Sequence, residues 1–347
     1  MPLSEETLIG LFSAKDAGLA MAKVAGARSV GALRALSRAI ADLVHEVHLP
    51  HELWLPRGSI YVCGGGNSCP ESAERYDPVV GTWERLPPMA QGRQHTCAAA
   101  LFGHLLVYGG LDSGEPLLSA ERLDPATGQW VALGDLLDHP LRFGAATAIS
   151  ATWLYVCGGL HAEESFVVRA ADRFDIATCE WESLPPMAQE RMFAAAAFCG
   201  ESLYVCGGAS DDRTRKSLAS AERFDPATSA WEPLPPMLRA RYQAAAASMS
   251  GKVYVLGGID GFEILDSVEV FDPASCSWES ARTMLRKRAA PAAVAKAGRL
   301  YVLGGADDQH DPQNAVECFD AILGSWEPLP AMLEARSCMA VAVVEQP

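Results

Sequence analysis

An arginine recurs at near-regular intervals along this chain, at Arg93, Arg142, Arg191, Arg241, Arg288 and Arg336. A guanidinium stays charged at any physiological pH and offers a planar fork of donors that matches a carboxylate in two bonds at once. Six of them can pair with carboxylates that recur in the same pattern or hold a carboxylate brought by another molecule, and both roles stay open. Other side chains capable of chemistry are sparse. His45, His48 and His51 form a three-residue ladder, but Pro50 interrupts a helix there and the order is not that of a zinc hydrolase, so they read as a solvated helix end. His95, His104, His139, His161 and His310 lack metal-ligand spacing. The glycine doublets close apolar runs instead of opening helices, and Gly64-Gly65-Gly66 lacks the following Lys of a phosphate loop. No Gly-x-Ser-x-Gly elbow occurs. The expectation is a chain with no metal, no cofactor and no enzymatic activity.

The elements that position the arginines form a repeat. Glycine pairs stand at Gly64 and Gly65, Gly109 and Gly110, Gly158 and Gly159, Gly207 and Gly208, Gly257 and Gly258, and Gly304 and Gly305. Each follows a short apolar strand candidate, at 60–63, 105–108, 154–157, 203–206, 253–256 and 300–303. An acidic residue and then an Asp come next, and a Trp follows the Asp at fixed spacing: Trp83, Trp130, Trp181, Trp231, Trp278 and Trp326. Asp-Pro pairs such as Asp77-Pro78 and Asp225-Pro226 mark tight turns. Each unit holds four strand candidates and is too small to bury its own apolar faces, so the units must stack around an axis. The strand that opens each unit is rich in alanine, as in 193–198, because strands nearest the axis have room only for small side chains.

Gly-Gly, the acidic-x-aromatic-Asp segment and the Trp together resemble the Kelch repeat, over about residues 58 to 344. That resemblance implies an all-β, six-bladed Kelch propeller over residues 56–347, preceded by a helical segment and linker over residues 1–55. The first repeat lacks an opening strand and a spare one lies at 337–344, which predicts that the C-terminal strand closes the ring. The resemblance also implies that the arginines, with their neighbours Gln94, Phe143, Met192, Tyr242 and Ser337, line the channel mouth and contact a peptide, Phe143 and Tyr242 serving as aromatic anchors. An arginine-lined mouth suits an acidic peptide. Loops of variable length at 67–68, 112–115, 161–166, 211–216, 260–264 and 307–314 mark the binding face.

The balance of 28 basic against 43 acidic residues gives a net charge of −15, which repels phosphate backbones and makes nucleic acid an unfavourable partner. No signal peptide and no membrane-spanning stretch is read, so a cytoplasmic or nuclear location is expected. Cys63, Cys157 and Cys206 occupy one repeat position and read as small reduced core residues. From Leu8 to Val44 apolar residues recur at helical spacing, predicting two or three short helices with Ser4 as the first N-cap. Residues 3–11 and 30–44 resemble parts of an F-box, which implies a ubiquitin-ligase component as partner through residues 1–55, whereas a BTB domain exceeds this length. The expected function is a propeller that binds a partner polypeptide; an F-box/Kelch ligase adaptor and a sugar-modifying Kelch enzyme are the alternatives.

Overall fold

The structure is a computed structural model that describes residues 58–345, apart from 67–69, 102, 136–141, 151–152, 162–165, 176–177, 179 and 212. The helices, the F-box-like segment, the histidine ladder and the 67–68 loop therefore lie outside the described residues.

Blade 4 shows how the repeat folds. Its strands Ala195–Cys199, Ser202–Cys206, Ala221–Asp225 and Ala230–Leu234 pair in sequence order as one antiparallel sheet. The second strand is apolar along nearly its whole length because both of its faces meet neighbouring blades, while the outermost strand is mostly exposed. The innermost strand alternates: Ala195, Ala197 and Cys199 are buried and the residues between them are partly exposed. Asp225 accepts the Ala227 N–H at 2.9 Å, making the turn into the fourth strand, and Asp77, Asp124, Asp272 and Asp320 do the same in other blades. Trp231 packs its ring 5.0 Å from that of Phe224 and donates its indole N–H to the Pro185 carbonyl of the preceding blade at 2.7 Å. The tryptophans are therefore clamps between blades as well as filler.

Six such four-stranded sheets make the ring. Blade 1 takes its innermost strand from the other end of the chain: Ala340–Val344 pairs antiparallel with Ser59–Cys63, with Ile60 opposite Val343 and Cys63 opposite Ala340. The predicted C-terminal closure is therefore present, and it covers the inner edge of Ser59–Cys63. The glycine pairs lie where blades touch. Gly207 has φ +67° and a Cβ there would stand 2.4 Å from the Arg241 carbonyl oxygen of the next blade, so only glycine fits.

Candidate functional site

Each connector from an outer strand to the next blade's innermost strand carries one of the recurring arginines. Five of them, Arg93, Arg191, Arg241, Arg288 and Arg336, are fully buried or nearly so. Arg241 Nη2 lies 2.5 Å from Glu269 Oε1, and its other donors reach the Gly257 carbonyl at 2.9 Å and the Ser267 carbonyl at 3.2 Å. Arg93 pairs likewise with Glu121, Arg191 with Glu222, Arg288 with Glu317 and Arg336 with Glu74. Each of these glutamates also accepts backbone N–H groups of the incoming connector, such as that of Leu238 on Glu269. Burial holds Arg241 and Arg288 below the ordinary arginine range, against the pull of the facing glutamates. This corrects the expectation that these five line a ligand-binding mouth: their donors are consumed inside the blade, and they lock each connector to its sheet.

The residues one step beyond the arginines also turn out differently from the expectation. Gln94, Met192 and Tyr242 bridge to the backbone two residues past the first glycine of their own blade, at Leu111, Ala209 and Ile259, and Phe143 pairs with Leu160. Met192 and Tyr242 are buried in a small apolar cluster, with Phe143 partly buried against it. Gln94 donates its side-chain amide to the Gly66 carbonyl, and the Ser337 carbonyl accepts the Gly66 N–H. Tyr242 is thus not an exposed anchor, while Phe143 keeps some exposure.

The mouth is built one residue further on. His95, Gly144, Phe193, Gln243, Ala290 and Cys338 follow the six arginines by two positions, and all have left-handed backbone, with φ between 48° and 64°. They are joined by backbone bonds running round the axis. Gln243 N–H donates to the Phe193 carbonyl at 2.9 Å, Ala290 to Gln243 at 2.8 Å, Cys338 to Ala290 at 3.1 Å, His95 to Cys338 at 2.8 Å and Phe193 to Gly144 at 2.6 Å. These six residues line a solvent-open depression of about 570 Å³.

One side of that depression is aromatic. The Phe143 ring stands edge-on to those of His95 and Phe193, at 5.2 Å and 5.0 Å, and the Arg215 guanidinium lies 6.0 Å from the Phe193 centroid. Burial, reinforced by the Arg215 charge, lowers His95 from its ordinary 6.5 to about 4, so its imidazole is neutral at pH 7. The other side presents Gln243, Ala290 and Cys338. Among the described residues no group of three or more His, Cys, Asp or Glu side chains could hold a metal ion. Cys63, Cys157 and Cys206 sit in the cores between blades with their thiols pushed up to about 12, as small packing residues.

The backbone circle is open at one place. In five junctions the second glycine donates to the next blade's arginine carbonyl at 2.8 Å, as Gly208 does to Arg241. Between blades 2 and 3 neither the bond from Gly110 to Arg142 nor that from Gly144 to His95 forms. A Cβ on Gly109 would come no closer than 3.7 Å to any described neighbour, whereas its five counterparts would meet an arginine carbonyl at 2.1–2.5 Å. Arg142 is also the exception among the arginines: it pairs with Asp172, not a glutamate, and among the described residues it reaches the Ala170 and Val156 carbonyls. The opening forms a cleft beside the mouth. The six mouth positions and this seam were not foreseen. The signals for them were unlike residue types inside a constant frame, and a Trp-to-Arg spacing of twelve from Trp130 to Arg142 where every other repeat has ten.

Comparison with known proteins bears on this architecture. A family model described as the KLHDC2/KLHL20/DRC7 Kelch-repeats domain matches residues 144–346, and the Kelch motif matches residues 56–90 and 92–137. Kelch-like protein 36 of Mus musculus is 27% identical over 159 residues, covering 46% of this chain and 26% of that protein. Kelch repeat and BTB domain-containing protein 13 of Homo sapiens is 33% identical over 162 residues, covering 44% and 33%. Kelch-like protein terF of Aspergillus terreus is 27% identical over 146 residues, covering 39% and 32%. The matched regions thus span about a quarter to a third of these relatives. The solved structure of YjhT superposes with a TM-score of 0.68 at 15% identity, covering 80% of this chain and 97% of that one, a likeness of fold.

Proposed function

Because this chain belongs to the Kelch-repeat family, we propose that its propeller is a non-enzymatic docking module that holds a partner polypeptide at the channel mouth. The observation that carries this reading is the mouth itself. One repeated scaffold of buried arginine–carboxylate pairs and backbone bonds displays six unlike residues, His95, Gly144, Phe193, Gln243, Ala290 and Cys338, at equivalent positions. Conserved internal geometry with varied display is what a recognition surface requires.

The chemistry of the mouth describes the partner. Neutral His95 with Phe143 and Phe193 offers an aromatic wall for an apolar or aromatic side chain. Arg215 beside it is exposed, as are Arg213 and Lys216, and this cationic loop suits a carboxylate next to that side chain. The acidic character expected of the ligand is thus met by the 213–216 loop, with the five buried arginines serving the fold. Net charge of −15 continues to disfavour a phosphate backbone as partner.

The test is affinity purification with the full chain and with a variant carrying Arg215→Glu and Gln243→Arg, two changes on the rim that leave the internal pairs intact. Polypeptides retained by the first and lost by the second, at unchanged melting temperature, support docking at the mouth. Equal recovery by both would show that the mouth is not the docking site. The ligase-adaptor reading rests on residues 1–55 and has its own test: co-purification of a Skp-type protein with the full chain and its loss when those residues are removed.

A further inference from the structure

We propose that the seam between blades 2 and 3 is a slot for an extended peptide, whose backbone bonds to Gly110, Gly144, Arg142 and His95 while one apolar side chain enters the cleft beside Tyr108 and Phe143. This deepens the docking reading above and rests on it, since His95 and Gly144 line both the mouth and the cleft.

The argument starts from what the other five junctions do with the same atoms. There the second glycine and the left-handed residue each donate an N–H to the neighbouring blade, and the arginine and the preceding left-handed residue accept. At the seam the two donors, Gly110 N–H and Gly144 N–H, and the two acceptors, Arg142 C=O and His95 C=O, make none of those bonds, and all four residues line the one cleft. Among the described residues no other backbone bond outside the strand ladders replaces them. Backbone groups withdrawn from a ladder and left facing a groove are satisfied by water or by another chain. An extended polypeptide alternates C=O and N–H along its length and complements a set with two donors and two acceptors, whereas an anion would leave both acceptors unmet.

The side chains agree with that occupant. In every other repeat the residue before the glycine pair is Cys63, Cys157, Cys206, Leu256 or Leu303, and here it is Tyr108. The position two before that is tyrosine in the other five repeats and Leu106 in this one. The bulky ring is thus moved to the blade edge, where it meets Trp181 across the seam at 6.3 Å between centroids. The arginine fork that could have attracted a phosphate is already engaged by Asp172. The walls include Leu111, Pro116, Leu117, Tyr108, Phe143 and Val156, which give an apolar surface for one side chain, with peptide-bonding groups at its rim.

The experiment uses the full chain and a library of random peptides displayed on phage, with the synthesised winners as the probe. Three proteins are compared: the unaltered chain, Leu117→Trp, which fills the cleft from its wall, and the rim variant Arg215→Glu with Gln243→Arg. Peptides that bind the unaltered chain and lose about tenfold or more in affinity to Leu117→Trp are the expected result. Amide hydrogen exchange gives a readout independent of any variant's folding: Gly110 and Gly144 should exchange faster than Gly208 and Gln243 in the free protein, and become protected when the peptide is added. Binders indifferent to Leu117→Trp, with Gly110 and Gly144 left unprotected, overturn the slot and assign the seam to water. If those binders are lost with the rim variant, the mouth reading survives without the slot; if they are indifferent to both variants, both readings fail. A library that yields no cleft-dependent peptide also overturns the slot.

Discussion

The junction between blades 4 and 5 and the seam between blades 2 and 3 come from the same repeat, and one is closed where the other is open. At the closed junction Gly207 lies against the Arg241 carbonyl, Gly208 donates to it, and Gln243 continues the backbone circle from Phe193. At the open one Tyr108 replaces a small residue, Asp172 replaces a glutamate, and the connector carries two additional residues before its arginine. Nine or ten buried residues form each of the apolar clusters between blades 1 and 2, 3 and 4, 4 and 5, 5 and 6, and 6 and 1. Among the described residues the two clusters around the seam hold three buried residues each. A propeller therefore tolerates one relaxed junction while the remainder of the ring keeps its register. The relaxed one is where backbone becomes available to another chain.

The largest effect should come from opening the ring at a second place. Removing residues 340–347 strips the inner strand from blade 1 and exposes the buried Ser59–Cys63 edge, so the chain should lose its cooperative thermal transition in calorimetry. A retained transition would mean that the closed junctions hold the ring without their terminal clasp. Next in size, Glu269→Ala strands the fully buried Arg241 and should cost about 3–5 kcal/mol in urea unfolding. Asp172→Ala should cost less, because its partner Arg142 lies on the wall of an open cleft and can rehydrate; equal losses would erase the distinction between junction and seam.

A smaller effect depends on pH. His95 binds its proton near pH 4 in the folded chain and near its ordinary 6.5 when unfolded, so between those values the unfolded state holds more protons. Its contribution is complete above about pH 6.5 and is lost as pH falls towards 4. Melting temperature should accordingly drop more steeply over that window in the unaltered chain than in His95→Gln. The smallest effect is repair: Tyr108→Cys with Asp172→Glu restores the residues of a closed junction and should raise stability by about 1 kcal/mol, read as a shift in the urea midpoint. A decrease would show that the tyrosine stabilises the seam as it stands.

The frame was legible because each of its parts answers a backbone demand that recurs. The glycine pair fits under a carbonyl, the Asp makes a turn, the Trp clamps the preceding blade, and a missing first strand matched a spare last one. The arginines were ambiguous because a guanidinium looks the same whether its carboxylate belongs to the blade or to a ligand; burial decides, and burial depends on the whole ring. The residues expected at the mouth stand one position before those that line it, for a conformational reason. A left-handed residue after Tyr242 or Met192 redirects the chain, so Gln243 and Phe193 face the axis instead. Only Gly144 and, more weakly, His95 have residue types favoured at positive φ; Phe, Gln, Ala and Cys do not. The seam could have been noticed from spacing alone, but what it opens onto depends on how blades meet in space.

The clasp in blade 1 has a topological consequence. Ser59 and Val344 are directly opposed partners in neighbouring strands, so the propeller begins and finishes at adjacent points, at the end of blade 1 remote from its glycine pair. In connectivity the domain is a loop tied at a single knot of hydrogen bonds. Its two ends offer adjacent attachment points, both at the end of blade 1 away from the glycine pair.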